Sequence, residues 1–593
     1  MTIPERLTIL RDTMRSKGWS AYWDTGTDPH DSEYPPLHWA TREFLSGFTG
    51  SAGTVVVTDT EAGLWTDGRY FTQAEKELAG TGIRLFREGT PNTPSPTEWL
   101  SQTLTKGSTV GIDAQAVSLQ RFRQSEAAFK RFGLVFQPGV LDWSLLWPER
   151  PPRPANPVED FQTKIPGITP RTAKLQTLRD DLKALGAEAL AVTALDEIAW
   201  LLNLRGSDIA FTPVFLSWVW IDLREVTLFA NVSSEAAALL GKDGVVCRPY
   251  DEWESFLSLV DGDQKVALVP ERTNLAVFEQ LRRSNLIETV SPLALRKARK
   301  SDAEIASIRE AHRRDAAALI EFLAWFETNA KGLYEQDAAD KLDEFRAQQS
   351  GFQGPSFAPI PGFGPNGAII HYHPKGRGDA LGPRGLFLLD TGAQYWQGTT
   401  DVTRTLSLGT PTPQEKTDYT LVLKAHAAVA MTPFPAGTRG YMIDAQARGI
   451  LWRAARNYPH GTGHGVGHFL GVHEGPARLN SEPLPTALEP GMILSNEPGL
   501  YRPGFYGIRI ENLVVCTEAD SNEFGRFLSW ETLTLCPYER RLIDAALLTE
   551  AERAWIDRYH QRVLAEIGAK ISDGARTWLS RNCEPLALSG LKG

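Results

Sequence analysis

The sequence predicts an α/β (α+β) protein: two similar N-terminal modules, then a larger final domain that carries the chemistry. Three observations predict this. Helix-period and strand-period segments alternate through the first half of the chain. A proline-rich stretch divides that half. From Ser301 onward a long amphipathic helix gives way to strands rich in acids and histidines.

Residues 4–17 form the first expected helix, with Leu7, Leu10 and Met14 on one face. Residues 30–36 read as a loop, Thr54–Thr58 as a strand, and Leu64–Trp65 as a further apolar segment before Thr66–Phe71, which is expected to open a helix. Trp147–Pro157 holds five prolines in eleven residues and reads as a stiff extended linker. The first domain is therefore placed at 1–150 and the second at 158–295. Within the second, Arg171–Ala184 is an expected helix, and Leu190–Thr193, Val214–Ile221, Val226–Ala230 and Val266–Val269 are expected strands. Residues 44–51 (FLSGFTGS) and 201–207 (LLNLRGS) are faintly alike, which hints at a duplication. Ser301-Asp-Ala-Glu304 is a capping box opening a helix with Leu319, Phe322, Leu323 and Phe326 on one face, so the last domain is placed at 296–593. Its extension, from about 530, includes a helix over Leu548–Ile567 with Thr549 as N-cap.

At 593 residues, length alone suggests about four domains, a soft guide. Hydrophobic content of 42% and charged content of 23% are those of an ordinary globular protein. A net charge of −10 argues against a nucleic-acid or acidic-membrane partner. Cys247, Cys516, Cys536 and Cys583 are far apart and read as reduced thiols of a cytoplasmic protein. No secretory leader and no membrane-spanning apolar run is expected.

The chemistry concentrates between His371 and Glu511. Asp390 ends the apolar run Gly385–Leu389, and Asp401 opens a second β-branched run after glycine-broken turns, so two neighbouring strands can bring both carboxylates together. Each is also compatible with an ordinary turn or surface acid. Gly507–Val515 alternates with period two, which puts Arg509 and Glu511 on one face of an apolar strand, paired with each other or bound to metal. Glu497 stands where an apolar strand meets a Pro-Gly turn. Four of the chain's eleven histidines, His460, His464, His468 and His473, fall within fourteen positions, and glycines at 461, 463, 465 and 467 argue for backbone in close approach rather than for a helix. A flexible loop is the plainer alternative. Asp390, Asp401, Glu497 and Glu511 with neutral His464 carry four negative charges, the complement of two divalent cations. Oxygen-rich ligation with one nitrogen favours Mn(II), with Zn(II) or Co(II) as alternatives.

These residues carry a resemblance. The step from Asp390 to Asp401, HGTGHGVGH with HEGP, SNEPGLY and GIRIENL, with the upstream blocks FLSGFTGSAGT, WTDGRYF, LDEIAWLLNLRGSD and GAIIHYHP, resemble the long three-domain Xaa-Pro aminopeptidases of the pita-bread metallopeptidase family. The resemblance implies two creatinase-like α/β domains before a pita-bread catalytic domain, whose C-terminal extension helps build a homodimer. It implies hydrolysis of the bond before a penultimate proline by a hydroxide held on two metal ions. Asp390, Asp401, His464, Glu497 and Glu511 would be the ligands, with Asp401 and Glu511 bridging. Glu497 would accept and return a proton, His371 and His473 would hydrogen-bond the substrate and oxyanion, and His460 would shuttle a proton to the proline nitrogen. Arg69, Arg509 and His464 would complete the substrate contacts, although Arg69 taken alone reads as a structural ion pair. His373 and His468 are assigned structural roles. A prolidase, a metal-free creatinase-like hydrolase and a non-catalytic binding module of the same fold are the rival readings; the last two lose ligands that are intact here.

Overall fold

The computed structural model describes residues 1–586. They divide into two compact units: Met1–Thr163 with Thr169–Leu293, and Lys164–Ile168 with the chain from Ala294 onward.

The first unit contains two six-stranded sheets. The first is built from β1 (Ala21–Asp24), β2 (Thr54–Thr58), β3 (Ala62–Thr66), β4 (Arg84–Arg87), β5 (Thr109–Asp113) and β6 (Val135–Gly139). The second uses β7 (Ala189–Val192), β8 (Ser217–Asp222), β9 (Val226–Ala230), β10 (Val245–Arg248), β11 (Lys265–Leu268) and β12 (Asn285–Glu288). Their orders, β4-β3-β2-β1-β5-β6 and β10-β9-β8-β7-β11-β12, are the same. So are the directions: β1–β2, β2–β3, β7–β8 and β8–β9 are antiparallel, and all other neighbours are parallel. The hinted duplication is thus present in full in the strand topology.

The two copies meet through equivalent positions. Ser118 caps the helix after β5, and Asn274 caps the helix after β11. Leu119 N donates to Thr273 O (2.9 Å) while Leu275 N donates to Val117 O (2.9 Å), a reciprocal exchange of helix-start amides that would otherwise lack partners.

Two local expectations are corrected. Thr66–Phe71 does not open a helix: Asp67 Oδ1 accepts from the Arg69 amide at 3.0 Å, a tight Asx turn, and the helix runs Phe71–Glu77. The strand expected over Val214–Ile221 begins only at Ser217, because Asp208 captures the Leu216 amide (2.9 Å) and holds the preceding residues in a loop.

In the second unit the capping box forms as expected. Ser301 Oγ and Glu304 exchange bonds at the start of the helix Asp302–Asn329. Leu319, Phe322, Leu323 and Phe326 bury one face against Phe387, Leu389, Val402 and Leu406. Those four lie on a three-stranded antiparallel sheet, Ile360–Phe363, Gly385–Thr391 and Val402–Leu408. A second, six-stranded sheet runs in the order Phe434–Pro435, Gly525–Thr532, Asn512–Asn522, Ile493–Asn496, Gly463–Gly465, Glu474–Leu479. Helices Pro413–Met431, Gly440–Trp452 and Glu550–Ile567 pack into one core with it, around Tyr419, Leu423, Ile443 and Val514. Ile556, Tyr559, Val563 and Ile567 of the last helix are buried in this core.

Candidate metal centre

Asp390 is the penultimate residue of its strand and pairs in register with Thr403; Asp401 immediately precedes the partner strand. Adjacent strand ends thus deliver both carboxylates to one place. Glu497 directly follows Ile493–Asn496, its amide anchored to Thr462 O at 2.8 Å. Glu511 sits elsewhere than expected. No continuous strand runs over 507–515: Tyr506–Arg509 pairs with Gly499–Arg502 in a small hairpin, and the next strand starts at Asn512. Between them the Glu511 amide donates to Thr403 O (3.2 Å), and Thr403 Oγ1 donates to Glu511 Oε2 (2.7 Å). Arg509 consequently does not pair with Glu511. Its guanidinium binds Asp390 Oδ2 at 2.6 Å.

The glycine tract explains how a histidine joins the carboxylates. A Cβ at Gly463 would lie 1.9 Å from Ser495 O, and one at Gly465 would lie 2.2 Å from Glu474 O. Only glycine lets this inner strand press against its neighbours on both sides. His464, between them, donates from Nδ1 to its own strand at Gly465 O (3.0 Å), which turns Nε2 toward Asp401 Oδ2 (3.5 Å) and Glu497 Oε1 (3.4 Å). One ligand atom each from Asp401, His464 and Glu511 lie within 4.8 Å of one another.

The electrostatics are those of a site built for cations. Burial raises the Asp390 carboxyl, and the charge of Asp401 adds to it against the pull of Arg509. Burial likewise raises Glu497, and it holds Glu511 well above the carboxylate range with help from Asp401, Glu497 and Asp390. Burial alone would lower His464, but its bond to Asp401 and the charge of Glu497 lift it to about 9. Asp390 Oδ1 and Asp401 Oδ1 are buried with no hydrogen-bond partner. Unpaired buried carboxylate oxygens are costly, and a cation is the partner that four converging carboxylates call for. The residues therefore fit a pair of divalent ions.

Around this core lies a hydrogen-bonded chain. His460 Nδ1 donates to Gly461 O (2.8 Å), so its Nε2 accepts from Tyr501 OH (2.7 Å); Tyr501 OH in turn accepts from Arg509 NH1 (2.7 Å). His473 packs edge-on to His464, ring centroids 4.3 Å apart. His371 follows Ile370, whose carbonyl accepts from Arg509 NH2 at 3.4 Å. His373 is exposed on the same loop. His468 is buried, bonded to Gln397 O at 3.1 Å and 3.5 Å from Glu304. Arg69 is in the first unit, forked onto Asp67 at 2.9 and 2.7 Å.

Sequence reasoning passed over four residues that hold this arrangement. Thr403 and Tyr501 are described above. Ser495 Oγ accepts from the His464 amide (2.9 Å) and donates to Glu497 Oε1 (3.0 Å). Arg404, fully buried, donates to Thr403 O (2.9 Å), Glu511 O (2.7 Å) and Asn512 Oδ1 (2.7 Å), stapling the two sheets beside the site. The signal for Arg404 was present: an arginine alone in a β-branched run must find buried partners, the same logic that singled out Arg509. Behind the histidine tract, Glu474 is held by Lys297 (2.6 Å) and by Lys300, all three side chains 3% exposed or less.

Fold and site together define a metallopeptidase: a carboxylate-rich centre at the meeting of two sheets, preceded by a duplicated α/β unit. A model of metallopeptidase family M24 matches residues 306–518, a model of its C-terminal region matches 526–586, and models of the creatinase/prolidase N-terminal domain match 6–142 and 149–304. A probable Xaa-Pro aminopeptidase P of Laccaria bicolor is 41% identical over 98% of this chain and 93% of its own length. Xaa-Pro aminopeptidase 1 of Dictyostelium discoideum is 38% identical over 99% and 97%. The crystal structure of an X-prolyl aminopeptidase from Caenorhabditis elegans, described as a cytosolic enzyme with a di-nuclear active site, superposes with a TM-score of 0.94 at 36% identity, covering 99% of this chain and all of that one. The chain belongs to metallopeptidase family M24, among its long three-domain members of the Xaa-Pro aminopeptidase type.

Proposed function

We propose that this protein is a metallo-aminopeptidase that removes the N-terminal residue from peptides with proline in second position. The observation that carries the reading is the full-length similarity to proteins named for that activity, on a chain whose buried carboxylates and His464 suit two cations. A proline nitrogen carries no hydrogen and fixes φ, so such bonds call for a dedicated enzyme.

Asp390, Asp401, His464, Glu497 and Glu511 would hold the ions, with Mn(II) the best match to the donor set and Zn(II) or Co(II) the alternatives. Two such ions, when bound, would supply Lewis acidity that lowers the pKa of a water and polarises a carbonyl. The chain's own groups do the rest. Glu497, its Oε1 steadied by Ser495, accepts a proton and returns it. His371 and His473 hydrogen-bond the substrate carbonyl as charge develops on it. His460, whose Nε2 accepts from Tyr501 in the resting protein, takes up a proton at Nε2 during turnover and passes it to the departing proline nitrogen. Arg509 orients Asp390 and Tyr501 together. Arg69, oriented by Asp67, serves the carboxylate of short peptides.

The modules are read as 1–150, 158–295 and 296–593, acting as a cytoplasmic homodimer. The apolar face of the helix Glu550–Ile567 is occupied within the chain, so a dimer contact there uses its outer face. Parallel assays on Xaa-Pro-Yaa peptides and Xaa-Pro dipeptides, with metal analysis of the same sample, test the function. Cleavage of dipeptides alone would make the protein a prolidase, and activity without metal would sink the chemistry.

A further inference from the structure

We propose that Asp315 and Arg346 are positioning residues of the metal centre: a buried ion pair that sets the spacing of the ligands Asp390 and Asp401. The inference rests on the metallopeptidase reading above.

Asp315 lies on the helix Asp302–Asn329 and Arg346 on the helix Glu335–Ala347; they are 3% and 0% exposed. Arg346 Nε binds Asp315 Oδ1 at 2.9 Å. The rest of the pair's bonding converges on the segment between the two ligands. Arg346 NH1 donates to Thr391 Oγ1 (2.5 Å) and to Gly392 O (3.2 Å). Asp315 Oδ2 accepts from Thr400 Oγ1 (3.0 Å), and Oδ1 accepts from Tyr395 OH (3.3 Å). Thr391 is the residue after Asp390, and Thr400 is the residue before Asp401. The segment also closes on itself, because Thr400 N donates to Ala393 O (2.8 Å) and Ala393 N donates to Thr400 Oγ1 (3.0 Å). Arg346 thus grips one end of the ligand-bearing turn and Asp315 the other. Among the described residues, apart from Asp343 at 3.4 Å from Arg346, the pair's charge-assisted side-chain bonds outside itself go nowhere else.

Stability is a poor reason to keep such a pair. Two buried charges replaced by apolar groups of similar volume often leave a protein as stable or more so. What apolar groups cannot do is hold Thr391 and Thr400 at a fixed separation through directed bonds. A carboxylate spacing set this way, on two packed helices, is what a pair of closely spaced cations requires.

The test titrates Mn²⁺ by calorimetry into full-length protein stripped with chelator, and records Tm of the stripped protein. Two variants are compared with the wild type: the apolar double replacement Asp315→Leu/Arg346→Met, and the near-isosteric Asp315→Asn. The expected result is a double variant whose stripped Tm equals or exceeds that of the wild type, yet whose affinity for at least one ion falls 10- to 100-fold, the range for groups that orient metal ligands. Its kcat should recover in excess Mn²⁺ with KM unchanged. Asp315→Asn should lose affinity in the same direction. Wild-type affinity at both sites in either folded variant overturns the proposal, and so does an affinity loss seen only in proportion to a fall in stripped Tm. Wild-type protein that takes up no ion would overturn the metallopeptidase reading itself, a different failure read in a different arm.

Discussion

The two halves of the metal centre are held by opposite means. Asp390 and Asp401 come from strand ends and are tied through their sequence neighbours to charged groups on helices, Asp315 and Arg346. His464 is set by backbone packing: glycines on either side let its strand touch Ser495 and Glu474, and Ser495 then bonds both the His464 amide and Glu497. One half is adjusted by directed bonds and the other by the absence of side chains. The lesson is that a motif rich in glycine and one poor in it do the same work, holding a ligand in place. Only the glycine-rich one announces itself in a sequence.

Stripping the metal breaks both halves at once and has the largest expected effect. Turnover should vanish and Mn²⁺ should restore it best; full activity in a sample shown to be metal-free would end the metal-dependent reading. The stripped site should also hold protons. Asp390, Glu497 and Glu511 are raised, and His464 is raised to about 9. Each binds its proton more tightly folded than unfolded, so stripped protein should gain stability as pH falls below about 9 toward the unfolded imidazole range. Metal uptake should release protons and weaken at low pH. Calorimetry in buffers of different ionisation heat measures that release.

Glu474→Gln strikes the histidine half alone. It leaves Lys297 and Lys300 buried without their anion, a change that costs about 3–5 kcal/mol, and a urea melt should show it. Removing a ligand's charge without disturbing the frame is the next step down. Glu497→Gln should lower turnover by at least ~10²-fold while urea stability stays within experimental error; a metal-loaded variant with wild-type turnover would remove Glu497 from the proton path. The smallest effect is outside both halves. Arg69→Ala should raise KM for tripeptides about tenfold, or about 1.4 kcal/mol, with kcat changed less. A lowered Tm with wild-type KM would assign Arg69 to its turn with Asp67 alone.

The fold was legible where patterns are local. The proline linker, the capping box at Ser301 and the helix capped by Thr549 all appear where sequence places them, because each depends on a few adjacent residues. The five candidate ligands were also named from sequence: the structure brings one ligand atom each of Asp401, His464 and Glu511 within 4.8 Å of one another and sets Glu497 Oε1 3.4 Å from His464, while Glu511 stands between two strands rather than inside one. What sequence did not show is longer in range. The break at Ile510–Glu511 depends on Thr403, more than a hundred residues away, taking the Glu511 amide and carboxylate. Arg509 chose Asp390 over its near neighbour Glu511 for the same reason. Asp315 and Arg346 gave no signal at all: each is one charge on a helix that carries many.

The position of Lys297 and Lys300 has a practical bearing on where this chain can be cut. They fall just after Leu293, where the first compact unit ends, and before residue 306, where the similarity to family M24 begins. A fragment started at 306, the natural choice from family boundaries, would discard both cations and strand the carboxylate of Glu474 inside the protein. A fragment started at 294 would keep them. The eight residues from Leu293 to Lys300, which resemble a linker by position, belong in this sense to the catalytic machinery, and any shuffling of domains among relatives has to carry them along with it.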